Sequence, residues 1–145
     1  MKDSPRALEN ASVTLAEGMH FAGRIDGFSI DIDAEESVGG RGAGPQPLRL
    51  LLLGIAGCTA MDVISILRKK RQEVDDLEVE VLGSRVEEHP RVYDDVEIIY
   101  RVRGKGIEPR DVERAIELSE GRYCPVIAMI GEATRITSRY EVKEA

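Results

Sequence analysis

Residues 47–72 constrain the fold more than any other stretch. The run Pro47-Leu-Arg-Leu-Leu-Leu-Leu-Gly-Ile-Ala-Gly-Cys58-Thr-Ala-Met-Asp-Val-Ile-Ser-Ile-Leu67 leads into the basic patch Arg68-Lys-Lys-Arg71. Proline suits the first turn of a helix, and basic residues complement the negative end of the helix dipole. The pattern predicts one helix from near Pro47 to about Gln72, a rod of roughly 37 Å. Its middle is apolar on nearly every side: Leu50 to Leu53, Ile55, Ala56, Ala60, Met61, Val63 and Ile64. Such a helix is buried all round. A chain of 145 residues cannot easily surround that rod alone. A second copy would supply the missing cover, so a homodimer is expected.

The remaining elements are short. Ser12-Val-Thr-Leu-Ala, His20-Phe-Ala-Gly-Arg-Ile and Phe28-Ser-Ile-Asp-Ile-Asp33 alternate in polarity and read as three strands. Gly18 and Asp26-Gly27 supply the hairpin turns. Residues 35–47, with Gly39, Gly40, Gly42, Gly44, Pro45 and Pro47, read as a mobile loop. After the long helix, Leu77–Leu82 and Asp95–Arg103 alternate as strands. A second helix opens at Pro109, carries Val112, Ala115, Ile116 and Ser119 on one face, and can end at Gly121. A short helix follows from Pro125 to Gly131, then a last strand over Thr134–Val142. Helices and strand groups separate along the chain, which reads as an α+β fold. Length fits a single domain over residues 1–145.

The net charge of −7 argues against nucleic acid as a partner. Met1-Lys-Asp-Ser-Pro-Arg6 has no apolar stretch behind it, and the run Leu50–Leu53 is too short to span a bilayer. No membrane partner and a cytoplasmic location are therefore expected. Thiols there stay mostly reduced, so a cysteine pair is more often redox-active than structural. The spacing of the cysteines, Cys58 and Cys124, with the histidines His20 and His89 far apart, gives no metal signature and implies no cofactor.

Cys58 sits in the middle of the apolar helix, where a thiol normally has a raised pKa and packs as a small hydrophobe. Gly54, Ala56, Gly57 and Ala60 keep the helix surface low around it, so a small substrate or another element can approach. Asp62, one turn on, faces the same way; its charge would raise the thiol pKa. Cys124 is expected at the N-cap of the helix that begins at Pro125, where free amides favour a thiolate. Together the thiols suit a dithiol cycle: one becomes a sulfenic acid on attacking a peroxide, and the other condenses with it to a disulfide. That chemistry needs a cation beside the attacking sulfur. Arg24, Arg41, Arg49 and Arg122 are the candidates.

The stretch Gly39-Gly40 through Gly44-Pro-Gln-Pro to Ala56-Gly-Cys58-Thr59, with Glu120-Gly-Arg-Tyr-Cys-Pro-Val126, resembles the OsmC/Ohr family, named for osmotically inducible protein C and the organic hydroperoxide resistance protein. The segment Cys58-Thr-Ala-Met-Asp62 is most similar to its OsmC-like branch. The resemblance covers about residues 11–142. It implies an intertwined homodimer whose long central helices are wrapped by antiparallel sheets. It implies reduction of hydroperoxides, with Cys58 matching the peroxidatic cysteine and Cys124 the resolving one. A dithiol reductant, a thioredoxin-like or lipoyl protein, would then reset the pair, and the role would be an antioxidant one in oxidative stress. In the family's organic-hydroperoxide branch the catalytic arginine follows glycines in the first hairpin turn; here that turn reads Gly18-Met19-His20, and Arg24, one strand later, is a loose counterpart and Arg41 another. Leu48 and Arg49 stand where the family's peroxidases carry a glutamate. That departure leaves a second reading open, an OsmC-fold protein that binds a small ligand without efficient peroxidase activity.

Overall fold

The structure is a computed structural model that describes residues 5–145. Residues 1–4, where the reading for a leader segment began, lie outside the described residues. The chain divides into two compact units, Met1–Leu50 and Leu51–Ala145.

The first unit is a three-stranded antiparallel sheet in the order β1 (Ala11–Glu17), β2 (His20–Ile25), β3 (Phe28–Ile32). The second hairpin turns on Asp26 and Gly27, both at positive φ, the geometry that matches strand twist. The register puts Val13 opposite Gly23 and Gly23 opposite Ile30, and it aligns Ile25 with Phe28. One face of the sheet is therefore apolar. The other carries Ser12, Arg24, Ser29 and Asp31. Within one chain the apolar face is open: Val13, Leu15 and Phe28 are 54%, 59% and 71% exposed.

The glycine-rich loop is held, not mobile. Asp33 is buried, and its carboxylate accepts from the amides of Ala34 (2.8 Å), Arg41 (2.9 Å) and Ala43 (3.1 Å). The loop turns through a short 3-10 segment, Glu36–Val38. At Gly40 a Cβ would lie 1.7 Å from the Ala34 carbonyl oxygen, so only glycine lets the chain close this tightly. Composition signalled a loop; it carried no sign that one carboxylate would organise it.

The second unit holds most of α1 (Arg49–Lys69), then β4 (Glu73–Arg85), β5 (Tyr93–Lys105), α2 (Pro109–Leu118), a π-turn (Ser119–Tyr123), α3 (Pro125–Ile130) and β6 (Arg135–Glu144). The sheet order is β4-β5-β6. β4 pairs antiparallel with β5, but β6 runs parallel to β5, which corrects the expectation of antiparallel sheets. The reason is the connection. A seven-residue loop, residues 86–92, joins β4 and β5 as a hairpin, while the helical crossover between β5 and β6 lets β6 enter in the same direction. α2 does not stop at Gly121 but runs at Ser119 into the π-turn.

By length and composition α1 could cross a bilayer, with a mean hydropathy of 2.2. Here it carries the core of the unit. Ile55, Thr59, Val63 and Leu67 form a stripe with a step of four residues and are buried. They pack with the inner face of β5 (Val96, Ile98, Tyr100, Val102) and with Val112, Ala115 and Ile116 of α2. Burial of each such aliphatic chain contributes about 1.5–3 kcal/mol. One side of α1 is not covered within one chain: Leu53 and Met61 are 67% and 73% exposed. The outer face of the sheet is charged, with Arg101 bridging Glu78, Glu80 and Glu141 across three strands. At the end of α1, Gln72 donates to Asp111 (3.0 Å) and accepts from the Glu108 amide (2.9 Å), tying the helix end to the start of α2.

Two outcomes are expected. Leu67→Ala should cost about 2–5 kcal/mol in urea unfolding, because the cavity opens at a fully buried site. Asp33→Asn should raise tryptic cleavage at Arg41. The amides around Asp33 hold its carboxyl below the usual range. Its contribution is therefore present above the ordinary value of about 3.9 and lost as pH falls through the lower folded value. Stability measured against pH should be flatter in that acid window for the variant than for the parent.

Candidate functional site

Cys58 and Cys124 come together in the second unit. Cys58 projects beside the buried stripe of α1 and is half-buried; Cys124 is 2% exposed. Both are free thiols, near enough for Cys124 to act on Cys58 by charge and by hydrogen bonding. The π-turn sets this geometry. The Cys124 amide reaches back five residues to the Ser119 carbonyl (2.8 Å), and that extra residue delivers Cys124 to the start of α3. There its sulfur accepts from the Ile127 amide at 3.5 Å, the cap expected from the sequence.

Asp62 is neither exposed nor idle. It is half-buried and accepts from the Ser119 hydroxyl at 2.9 Å, so it anchors the π-turn to α1. Burial pushes the Cys58 thiol up first, and then Cys124 and Asp62 push it further; only the Val126 amide works the other way. None of these groups is a cation.

The candidate arginines are engaged in other ways. Arg24 is exposed on the polar face of the first sheet, in register with Ser12 and Ser29. Arg41 pairs with Glu17 at 2.8 Å. Arg49 opens α1 and lines a polar cleft of about 610 Å³ in the first unit. Arg122, close to Cys124 in sequence, lies over the Tyr123 ring at 5.5 Å.

A polar cluster that the sequence reading missed lies beside the thiols. Tyr100, fully buried on β5, donates to Glu120 Oε1 at 2.9 Å. Ser138 of β6 donates to Glu120 Oε2 at 3.1 Å. Thr59 reaches the Tyr100 hydroxyl, and Cys124 is close enough to act on it by charge. Thr59 itself donates to the carbonyls of Ile55 (2.8 Å) and Ala56 (3.2 Å). Tyr100 looked like one more apolar position of an alternating strand. The one available signal was that Glu120 shares its segment with Cys124. Next to the pair, Asp62, Ile66, Lys69, Leu118 and Tyr123 line a groove of about 550 Å³. Among the described residues no three histidine, cysteine or carboxylate side chains gather where they could hold a metal ion.

This arrangement has relatives. Residues 39–139 match the family described as OsmC-like protein. Protein YhfA of Escherichia coli (strain K12) is 37% identical over 136 residues, 93% of this chain and 98% of YhfA. The crystal structure of a hypothetical protein from Aquifex aeolicus VF5 superposes with a TM-score of 0.86 at 31% identity, covering 97% of this chain and 99% of that one. The organic hydroperoxide resistance protein OsmC from Legionella pneumophila superposes with a TM-score of 0.66 at 15% identity, covering 97% and 99%, a likeness of fold alone. With the family matched across α1, both thiols and most of the second sheet, the chain belongs to the OsmC-like protein family.

Proposed function

We propose that the protein reduces organic hydroperoxides by a two-thiol cycle on one OsmC-like domain, residues 1–145. The observation that carries this reading is the placement of two free thiols, distant in sequence, within reach of each other. The Cys58 thiolate attacks the distal oxygen of the peroxide, the O–O bond breaks, and the alcohol leaves after taking a proton. Cys58 is then a sulfenic acid. The Cys124 sulfur displaces hydroxide from it, and the disulfide and water form. An external dithiol, thioredoxin-like or lipoyl, reduces the disulfide by exchange. The Legionella relative, named for organic hydroperoxide resistance, supports the substrate class.

The groups acting on Cys58 within the second unit include no cation, and apart from the Val126 amide they favour the neutral thiol. A homodimer answers this need. The open apolar face of the first sheet and the uncovered side of α1, Leu53 and Met61, are the surfaces a second copy would bury. An arginine of the second copy would then supply the missing cation. The same unfavourable electrostatics support the second reading, a small-ligand-binding protein whose groove beside Tyr123 takes the ligand.

Cys58→Ser should lower consumption of cumene hydroperoxide to the uncatalysed rate, while the parent loses both thiols and gains an intrachain Cys58–Cys124 disulfide in mass spectra. Turnover by Cys58→Ser equal to that of the parent would sink the cycle and leave the binding reading. In sedimentation the parent should run as a dimer and Phe28→Glu as a monomer, since one charge on a 71%-exposed apolar residue matters only if a partner covers it.

A further inference from the structure

A π-turn is a rare departure from the α-helix, found mostly as single turns and often at functional sites. Pro125 explains why the helix breaks here but not why it widens first. A proline pushes the residue before it out of the helical region, and Cys124 is extended, at φ −73° and ψ 107°. The widened turn decides in which direction Cys124 leaves α2. Its amide reaches the Ser119 carbonyl, five residues back, at 2.8 Å. A slip to the ordinary α-helical register would put Cys124 in its neighbour's place, a shift of about 3.8 Å. Disulfide-bonded residues keep their Cα atoms about 4.4–6.8 Å apart, so a shift of that size is enough to take Cys124 out of reach of Cys58.

Two contacts hold the turn in this register, at its first two residues. Ser119 is fully buried, and its hydroxyl donates to Asp62 at 2.9 Å. Glu120 accepts from Tyr100 at 2.9 Å and from Ser138 at 3.1 Å. Asp62 stands one turn after Cys58 on α1. The two cysteines are thus joined by a short measured path: one turn of α1 from Cys58 to Asp62, the bond from Ser119 to Asp62, and the bond from the Cys124 amide to the Ser119 carbonyl. Both side chains also pack in the same core cluster. Asp62 is an awkward neighbour for a thiol that must ionise, because its charge opposes the thiolate. What a carboxylate provides here is a stronger acceptor for the Ser119 hydroxyl than a neutral group would be.

We propose that Asp62 and Ser119 are positioning residues for disulfide formation, holding the π-turn in the register that presents Cys124 to Cys58. The proposal rests on the two-thiol reading above and concerns its second step. In that step the Cys124 sulfur forms the S–S bond as the S–O bond of the Cys58 sulfenic acid breaks. The departing hydroxide and the Cys124 proton leave together as water. Asp62 and Ser119 neither give nor take a proton in this step. They raise the effective concentration of one thiol at the other.

Exchange with glutathione isolates that effect without peroxide. Glutathione disulfide and the protein dithiol interchange with the protein disulfide and two glutathione thiols, so the equilibrium constant reads how well Cys124 meets Cys58. The full-length protein is equilibrated in glutathione buffers, quenched in acid, alkylated and weighed by mass spectrometry. Ser119→Ala and Asp62→Ala should lower the constant about tenfold or more. Asp62→Asn keeps an oxygen for the Ser119 hydroxyl and should stay within about threefold of the parent. The initial reaction of Cys58 with dithiobisnitrobenzoate separates charge from position. It should match the parent in Ser119→Ala and be faster by the same factor in Asp62→Ala and Asp62→Asn, since both remove the charge. A glutathione constant unchanged in Ser119→Ala and Asp62→Ala would overturn the proposal. So would an equal fall in Asp62→Asn and Asp62→Ala, because charge or packing would then set the constant and not the hydrogen bond. Circular dichroism checks that each variant is folded. If cumene hydroperoxide leaves Cys58 unoxidised while the glutathione pattern holds, the peroxidase reading fails and the positioning role stands.

Discussion

The approach of α1 to β5 governs the second unit. A helix lies close to a sheet only where its facing residues are small or well shaped, and the stripe Ile55, Thr59, Val63, Leu67 supplies that face. Thr59 is its one polar member and is fully buried. Its hydroxyl is satisfied within the helix by the carbonyls of Ile55 and Ala56, so no orphan group opposes the contact. Tyr100 can then pack beneath α1 with its ring in the core and its hydroxyl free to meet Glu120. Cys58, the residue before Thr59, is left at the margin of the stripe, where Cys124 arrives. The site is a consequence of how this one seam closes.

That seam places the thiols together but in unfavourable electrostatic surroundings. Burial and negative neighbours both oppose the Cys58 thiolate, while oxidation by peroxide requires it. The uncovered surfaces of the chain point the same way. A sheet with one bare apolar face and a helix with one fully buried stripe leave apolar surface uncovered within one chain. The physical requirement for cover and the chemical requirement for a cation would be met by one event, the docking of a second copy.

Much of the fold was legible in the sequence because it rests on local rules. The alternation in residues 11–33 gave three strands, and Asp26-Gly27 gave their turn. Pro109 and Pro125 opened the helices that they suit, and Cys124 took the cap position. What escaped had no local signature. The parallel entry of β6 depends on the path of the crossover, not on the composition of the strand. The order in the glycine-rich loop depends on Asp33 meeting amides eight and ten residues away. The π-turn depends on Ser119 meeting Asp62, 57 positions earlier.

The sequence by itself determined the elements, the two thiols and the shortage of apolar cover, because periodicity, capping and composition act over one or two turns of chain. Only the tertiary structure decided what surrounds the thiols. Thr59, Tyr100, Glu120 and Ser138 come from four different segments, α1, β5, the π-turn and β6, and meet because those segments share one core. A hydrogen bond across that distance leaves no trace in the spacing of residues, since any chain path that closes the core can make it.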